Sequence, residues 1–248
     1  MNTRCTLAET YARRFQKSGP EEILTYFLES YRGEIALATS FGAEDQLLTH
    51  ICLSIDPRCE IFTLDTGRLP EETYRVWERT ERRYGIKIKP LVPERESLER
   101  LVAEQGINGF YESVERRKRC CEVRKIEPLG RALEGKRGWI TGLRREQSVT
   151  RSGMKVVEFD ERFGLIKINP LLEWSTQRVW EALRNDAIPY NELHDRGYPS
   201  IGCAPCTRAV TSGDDIRAGR WWWERPEQKE CGLHLKNGDR TNEEVTCE

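Results

Sequence analysis

Short apolar segments alternate with helical patterns between residues 35 and 143, and this alternation limits the folds open to the chain. The apolar segments, each long enough for one strand, are Ile35–Ser40, Glu60–Leu64, Ile86–Val92 and Gly138–Leu143. Strands that alternate with helices in this way form a parallel sheet. The sequence therefore predicts an α/β, Rossmann-like fold with helices on both faces of the sheet.

The predicted helices have one apolar face each. The helix after the first strand carries its apolar residues at Leu47, Leu48, Ile51 and Ile55. Cys52 shares that face, which predicts that its thiol packs in the core. Two more helices are predicted over residues 70–85 and Ser97–Gln105.

The pattern changes after residue 151. The stretch VVEFDERFGLIKINPL predicts a hairpin around Asp160–Gly164. A helix is predicted over Trp174–Asn185, with Ser175 as its N-cap.

The charges of the chain are nearly balanced, with 40 basic and 41 acidic residues and a net charge of −1. General binding to nucleic acid or to a membrane surface would need a clear basic excess. No segment approaches the ~18–20 apolar residues of a membrane span, and the N-terminus lacks the apolar stretch of a secretory signal. These features predict a cytoplasmic protein that binds neither nucleic acid nor membranes.

Two adjacent cysteines lie within the stretch RKRCCEVRK, residues 117–125. A disulfide between Cys120 and Cys121 would be strained, because S–S geometry suits side chains from separated backbone positions. The five basic side chains of this stretch would stabilise thiolates. Nine cysteines in a chain without an export signal indicate metal ligands or catalytic thiols rather than structural disulfides.

A second cysteine pair, Cys203 and Cys206, lies in the sequence CAPC. Two C-x-x-C pairs are typical of zinc, but adjacent cysteines do not easily bind one metal atom. A [4Fe–4S] cluster presents separate iron corners, so that Cys120 and Cys121 can each ligate one. The four residues favour such a cluster, and a structural zinc site or a redox-inert tetrad is the alternative.

Ligands of open parallel sheets bind beyond the carboxyl ends of the strands. The turns at these positions are Ser40–Asp45 and Asp65–Arg68. The first turn leads into a helix N-terminus, a natural anion site, and a tight turn without a ligand is the alternative. Arginine forks suit sulfate and phosphate oxygens, and the candidates are Arg144, Arg145, Arg151, Arg217 and Arg220. An ion-paired surface is the alternative for them.

The C-terminal segment is rich in charged and polar residues and holds few large apolar ones. Such a segment buries too little surface to order itself. We therefore predict one α/β domain over residues 1–224 and a mobile tail over residues 225–248. The tail carries ECGLH, in which Cys231 is typical of a reactive thiol, with a surface thiol of no function as the alternative. Structural or packing roles are predicted for His50, His194 and Trp221–Trp223.

Seven motifs occur in order from about Gly33 to His234: SFGAED, LDTGRLPEETY, KRCCEVRK, TGLRREQSVTR, GCAPCT, DIRAGRWWW and ECGLH. With these motifs the chain resembles the assimilatory sulfonucleotide reductases, specifically the iron–sulfur adenosine 5′-phosphosulfate (APS) reductases. The resemblance implies the PP-loop fold of the adenine nucleotide alpha-hydrolase-like group. The ATP-cleaving members carry Ser-Gly-Gly-x-Asp-Ser, whereas this chain has Ser-Phe-Gly-Ala-Glu-Asp. That difference implies a nucleotide cradle that no longer cleaves ATP.

The resemblance also implies a role for particular residues. The adenosine and phosphate pocket would be lined by Ser40, Phe41, Gly42, Leu64, Asp65, Thr66 and Gly67. The phosphosulfate would be held by Lys125, Arg144, Arg217, Arg220 and His234. The domain over residues 1–224 would then bind both nucleotide and a 4Fe–4S cluster, with Cys120, Cys121, Cys203 and Cys206 as ligands. Cys231 would be the nucleophile.

The implied reaction is thioredoxin-dependent reduction of APS to sulfite and AMP through a thiosulfonate on Cys231, in sulfate assimilation and cysteine biosynthesis. The resemblance implies thioredoxin or glutaredoxin as reductant and a possible homo-oligomer, and we expect the cluster to tune charge rather than carry electrons. The alternatives are reduction of 3′-phospho-APS (PAPS) or of both substrates. An iron–sulfur tRNA-thiolating protein should show a basic excess and the ATP-cleaving loop, and a non-catalytic iron–sulfur sensor would leave ECGLH without a function.

Overall fold

The structure is a computed structural model that describes residues 3–147, 151, 153–211, 213, 215–225 and 229. Its strands are β1 (Ile35–Thr39), β2 (Glu60–Leu64), β3 (Lys89–Leu91), β4 (Gly138–Ile140), β5 (Val157–Asp160) and β6 (Leu165–Ile168). Its α-helices are α1 (Thr3–Arg14), α2 (Pro20–Ser30), α3 (Ala43–Ile55), α4 (Glu71–Tyr84), α5 (Arg95–Gln105), α6 (Val114–Cys121), α7 (Glu127–Leu133) and α8 (Thr176–Asn185). None of the described helices is both long and apolar enough to cross a membrane.

The six strands form one sheet in the order β3-β2-β1-β4-β6-β5. All neighbours pair in parallel except β5 and β6, which form an antiparallel hairpin across Asp160 and Leu165. The chain reverses direction along the sheet after β3, since β4 pairs with the other side of β1. Both the predicted parallel sheet and the predicted hairpin are confirmed.

Two predicted strands are shorter than expected. The segment Ile86–Val92 pairs only over Lys89–Leu91, because it follows the left-handed Gly85 at the end of α4 and lies at the sheet edge. Pro90 lies within that pairing. Proline has no N–H to donate, and an edge strand tolerates it because no further strand on its outer side needs that donor. The segment Gly138–Leu143 pairs only as far as Ile140, after which the chain turns toward α3.

The main core lies between the sheet and the first helices, and it contains the largest group of buried apolar side chains. Cys52 is fully buried there, as its place on the apolar face of α3 predicts. The Ser175 hydroxyl accepts the Arg178 N–H at the start of α8, which confirms the predicted N-cap.

Helices α6 and α7 belong to one continuous helical run. A single π-helical turn, Glu122–Ile126, joins them directly after Cys121. Such turns add a residue to the local helix and are frequent at functional sites. This turn carries Arg124 and Lys125, so that both cysteines and both cations come from consecutive helical turns.

Candidate active site

A cavity of about 230 Å³ opens at the carboxyl ends of β1, β2 and β4. We call it the central cavity. Of the residues assigned from the sequence to substrate binding, it is lined by Ser40, Gly42, Leu64, Thr66, Lys125, Arg217 and Arg220. The position agrees with the rule that parallel sheets bind ligands beyond the carboxyl ends of their strands.

The turn after β1 is filled by a carboxylate of the protein itself. One Asp45 carboxylate oxygen accepts the Ser40 backbone N–H at 2.6 Å and the Ser40 hydroxyl at 2.7 Å. Phe41 is fully buried with a φ of 60°, and its ring stacks on Trp77 with centroids 5.4 Å apart. Phe41 therefore packs in the core and does not line the central cavity.

The pKa of Asp45 lies well above its ordinary value, at about 6. Burial is the main cause, and the negative charge of Glu44 adds to it, while the donors of Ser40 and Gly42 work in the opposite direction. The cavity wall at this turn therefore carries a carboxyl group that titrates near neutral pH.

We expect Asp45→Asn to remove a pH dependence of the free energy of unfolding between pH 4 and 6. An unfolded aspartate has a pKa of ~3.9. Between pH 4 and 6 the folded protein therefore keeps a proton on Asp45 that the unfolded chain has released. The free energy of unfolding therefore falls as the pH rises from 4 to 6, by roughly 3 kcal/mol in total. Anaerobic urea denaturation of the wild type and the variant at several pH values measures this contribution. Asp186→Asn, at a half-exposed position after α8, is the control; equal slopes for wild type and Asp45→Asn would contradict the assignment.

The turn after β2 connects the central cavity to the cysteines. The Thr66 hydroxyl lies 3.3 Å from Cys203 Sγ, and its carbonyl accepts the Arg124 Nη1–H at 2.6 Å. Asp65 accepts the Tyr74 hydroxyl at 2.8 Å and the Gly67 N–H at 2.9 Å, which shapes the turn. Of the three residues Asp65, Thr66 and Gly67, only Thr66 lines the central cavity.

The four cysteines of the predicted tetrad line one small cavity, which we call the cysteine cavity. Cys120 and Cys121 reach it from the end of α6, and Cys203 and Cys206 from the CAPC turn. None of the four forms a disulfide. Its other lining residues are Arg68, Phe110, Arg117, Arg124, Lys125, Pro205, Arg220 and Trp221. The sequence-based grouping of the cysteines is thus matched by their positions.

The positive charges of this cavity act on the thiols. Burial works to raise the pKa of Cys203, but Lys125, Arg220, Arg124 and the Thr66 hydroxyl outweigh it and lower that pKa. Burial raises the pKa of Cys120, and it raises the pKa of Cys206 to about 11. The cations around Cys203 therefore make its thiolate easier to form, whereas burial opposes ionisation of Cys120 and Cys206.

The residues of the cysteine cavity fit the ligand set of an iron–sulfur cluster, which is four thiols with cations around them. Among the described residues, no group of three or more His, Cys, Asp or Glu is placed to hold one metal ion. A cluster instead needs four thiolates on separate iron corners, with cations to offset its negative charge. Trp221 and Arg124 both line this cavity, and the buried indole N–H of Trp221 and Nε of Arg124 have no hydrogen-bond partner among the described residues.

The structure does not bring Arg144 to the central cavity. Its guanidinium is buried and donates to Glu44 at 2.7 Å, to Glu146 at 3.1 Å and to the Thr176 hydroxyl at 3.0 Å. With these partners Arg144 ties α3 to the start of α8. Arg144 is thus held in a buried ion-pair network, whereas the alternative considered for these arginines was an ion-paired surface.

Several lining residues were not assigned to the site from the sequence. Arg151 was a sequence-based candidate for anion binding that the family resemblance did not assign to the phosphosulfate, and it lines the central cavity. His194, which was given a structural role, also lines it, and burial lowers the pKa of its imidazole. Trp139 and Trp221 complete the aromatic part of the wall. Trp139 and His194 lie outside the seven motifs, and no local signal marks them because they come from a strand and a turn far apart in the sequence.

The two tail residues of the predicted site, Cys231 and His234, lie outside the described residues. The last described residue, Lys229, contacts the turn that carries the lining arginines. Its carbonyl accepts the Arg217 Nη2–H at 3.1 Å, and its amino group donates to the Ala218 carbonyl at 3.2 Å. Residue 229 therefore lies next to the rim of the central cavity.

The fold and the two cavities define a nucleotide-binding α/β protein of the PP-loop class with a buried four-cysteine site. The model of the phosphoadenosine phosphosulfate reductase domain matches residues 34–209. The chain therefore belongs to the phosphoadenosine phosphosulfate reductase family.

Individual relatives agree with this assignment. The chain is 56% identical over 202 residues to the adenosine 5′-phosphosulfate reductase of Allochromatium vinosum, covering 82% of this chain and 79% of the relative. It is 52% identical over 202 residues to the enzyme of the same name from Burkholderia cepacia, covering 82% and 81%. Among solved structures, phosphoadenylyl-sulfate reductase from Candida auris in a phosphate complex has a TM-score of 0.69 at 25% identity, covering 82% of this chain and 96% of that one.

Proposed function

We propose that the protein reduces APS to sulfite and AMP in sulfate assimilation. The observation that carries this proposal is the common wall between the two cavities. Lys125, Arg220 and Trp221 line both the central cavity and the cysteine cavity. The names of the relatives that cover most of the chain support APS as the substrate.

The charges of the central cavity suggest how the substrate lies in it. The cations Lys125 and Arg220 stand on the side next to the cysteines, and Arg217 belongs to the same turn as Arg220. Arginine and lysine donors suit phosphate and sulfate oxygens. The phosphosulfate therefore lies toward this side, and the adenosine lies over Leu64 at the end of β2.

A [4Fe–4S] cluster would be held by Cys120, Cys121, Cys203 and Cys206. When bound, it would supply an electrostatic element beside the sulfate end of the cavity. Lys125 lines both cavities and would offset the negative charge of the cluster on one side and of the phosphosulfate on the other. The thiol chemistry accounts for both electrons of the reaction, so none is needed from the cluster.

The first step is attack by the Cys231 thiolate on the sulfate sulfur of APS. The new S–S bond forms as the bond from sulfur to the bridging oxygen breaks, and AMP leaves with that electron pair. Lys125 and Arg220 reduce the repulsion between the thiolate and the sulfate oxygens and stabilise the charge that develops on the phosphate. The product on the protein is a Cys231 thiosulfonate.

The second step is attack by a dithiol reductant on the Cys231 sulfur. Sulfite leaves with the electron pair of the S–S bond, and a mixed disulfide remains. The second thiol of the reductant then releases Cys231 and leaves the reductant as a disulfide, so that the dithiol supplies the two electrons. Thioredoxin or glutaredoxin in a reducing cytoplasm has this chemistry.

The contacts of Lys229 support Cys231 as the nucleophile. Cys231 follows Lys229 by two residues, and Lys229 is hydrogen-bonded to Arg217, which lines the central cavity. His234, three residues further on, is a candidate for the sulfate end of the substrate.

Reduction of PAPS is the second candidate function. The matching family model and the Candida auris relative are both named for the phosphorylated nucleotide. The relatives named for APS are far more similar in sequence, at 56% and 52% identity against 25%. This difference in similarity favours APS.

We expect intact-protein mass spectrometry to show one added SO₃ group after anaerobic incubation with APS in the absence of reductant. Peptide mapping should place the group on Cys231, because the thiosulfonate accumulates when no dithiol is present to cleave it. Incubation with PAPS is the comparison and should give no adduct. An equal adduct with PAPS would establish the second candidate, and no adduct with either nucleotide on iron-loaded protein would contradict the proposed reaction.

A further inference from the structure

We propose that Arg117 is a positioning residue that holds the arginine turn of the substrate site against the cysteine helix. The arginine turn is the segment from residue 215 to residue 224, which carries Arg217 and Arg220. The proposal rests on the proposed function, since it assigns Arg117 a part in placing the sulfate end of APS.

The carrying observation is a fully buried ion pair between Arg117 and Glu224. The side chains are only 1% and 2% exposed. Arg117 Nε donates to Glu224 Oε1 at 2.9 Å, and Nη2 donates to Oε2 at 2.7 Å. This two-pronged geometry fixes the direction as well as the distance between the two side chains.

The ion pair joins two functional segments that are distant in the sequence. Arg117 lies on α6 one helical turn before Cys121, lines the cysteine cavity and contacts the Cys121 thiol. Glu224 closes the arginine turn, and its N–H donates to the Trp221 carbonyl at 2.8 Å. The pair therefore connects the cysteine helix to the turn that supplies Arg217 and Arg220.

Trp221 occupies the centre of this connection. Its ring lies between the two cavities, and the guanidinium carbons of Arg117 and Arg220 are each 4.7 Å from the ring centroid. Its φ is 41°, in the left-handed region that a bulky residue rarely adopts without surrounding support. The backbone N–H of Trp221 donates to the Cys206 carbonyl at 3.2 Å, which links the CAPC turn to the same group of residues.

Stability alone does not account for this pair. Burying two charges costs desolvation, and well-packed apolar side chains often replace such pairs without loss of stability. What an apolar contact does not provide is the fixed orientation of a guanidinium that binds a carboxylate with two donors and stacks on an indole. The arrangement therefore fits a requirement for exact placement of Arg217 and Arg220 relative to the cysteines.

The test compares two lysine substitutions on the same helix. Arg117→Lys keeps the charge but loses the two-pronged contact and the stacking. Arg116→Lys makes the same change at the neighbouring position, where Arg116 pairs with Glu112 at a half-exposed site. Both are made in iron-loaded Cys231→Ser protein, so that APS binds without reacting, and the affinities for APS and for AMP are measured by anaerobic calorimetry.

We expect Arg117→Lys to weaken APS binding by at least about tenfold while AMP binding changes less than about twofold, a difference of one power of ten in affinity. The reason is that the arginine turn holds the sulfate, whereas the carboxyl end of β2 holds the adenosine. The visible absorption of the iron–sulfur chromophore per chain should be retained, and Arg116→Lys should match the parent. Glu224→Gln, which removes the other charge, should shift the APS affinity in the same direction if Arg117→Lys does not fold.

Two results would overturn the inference. One is unchanged APS affinity in both Arg117→Lys and Glu224→Gln. The other is a parallel loss of APS affinity, AMP affinity and iron, since that pattern indicates a merely structural role. Failure of the proposed function looks different: the parent protein would then bind APS no more tightly than AMP, and the inference would fall with it.

Discussion

Replacement of Cys231 by serine is expected to abolish sulfite formation while AMP binding stays unchanged. A serine hydroxyl is not ionised at neutral pH and cannot form the thiosulfonate, so turnover should fall by at least ~10³-fold, as when other enzymes lose their nucleophile. The residues of the central cavity that are described in the structure all precede Cys231, and none of them is changed. Sulfite release in the presence of a dithiol protein and AMP affinity by calorimetry are the two measurements.

A matched control for this variant is Cys59→Ser. Cys59 directly precedes β2, at the amino end of that strand and therefore away from the central cavity. It is a half-buried free cysteine. This variant should turn over like the wild type. Sulfite formation by Cys231→Ser at a rate near that of the control would show that another group is the nucleophile.

Replacement of Cys203 by serine should cause the second-largest effect, through loss of iron. Cys203 is buried in the cysteine cavity, and its thiol interacts with Thr66, Lys125 and Arg220. A hydroxyl is a poor iron ligand beside three thiolates. We expect bound iron and sulfide to fall below detection and turnover to fall at least ~100-fold, because loss of even an outer partner of a metal site costs 10–100-fold.

Cys52→Ala tests whether any loss of iron is specific to the tetrad. Cys52 is also a buried free cysteine, but it packs on α3 in the main core. Its replacement should lower the free energy of unfolding and leave the iron content unchanged. Full iron content in Cys203→Ser would exclude Cys203 as a ligand, and zinc in place of iron in the wild type would restore the structural alternative.

The elements predicted best are those with a strong local pattern. The strand Glu60–Leu64 has the predicted bounds, because its apolar residues stop abruptly at Asp56–Cys59 on one side and Asp65–Gly67 on the other. The helix over residues 70–85 was predicted within one residue at each end. Strand bounds next to Ile86 and Leu143 were predicted too long, because an apolar residue in a loop looks like one in a strand.

The cysteine tetrad was predicted from chemistry rather than from periodicity. Adjacent cysteines do not easily bind one metal atom, whereas a cluster with separate iron corners accounts for Cys120 and Cys121 together with Cys203 and Cys206. The partners of charged residues were not predictable in this way. Arg144 and Arg117 both lie in basic motifs, yet each is paired with a glutamate, Arg144 with Glu44 and Arg117 with Glu224, about a hundred residues away in the sequence. Pairing at that distance depends on the tertiary fold and leaves no local signal.

The π-helical turn after Cys121 limits the insertions and deletions that the chain can accept between the cysteine pair and Lys125. The cysteine pair and Lys125 lie on one uninterrupted helical run, so their relative direction is set by angular phase and not by the length of a loop. Removing one residue between them would rotate everything that follows by about 100°. A lysine displaced in that way would leave the wall between the two cavities, however well its charge were conserved. The number of residues from Cys121 to Lys125 therefore constrains the site as strongly as the identity of the side chains does.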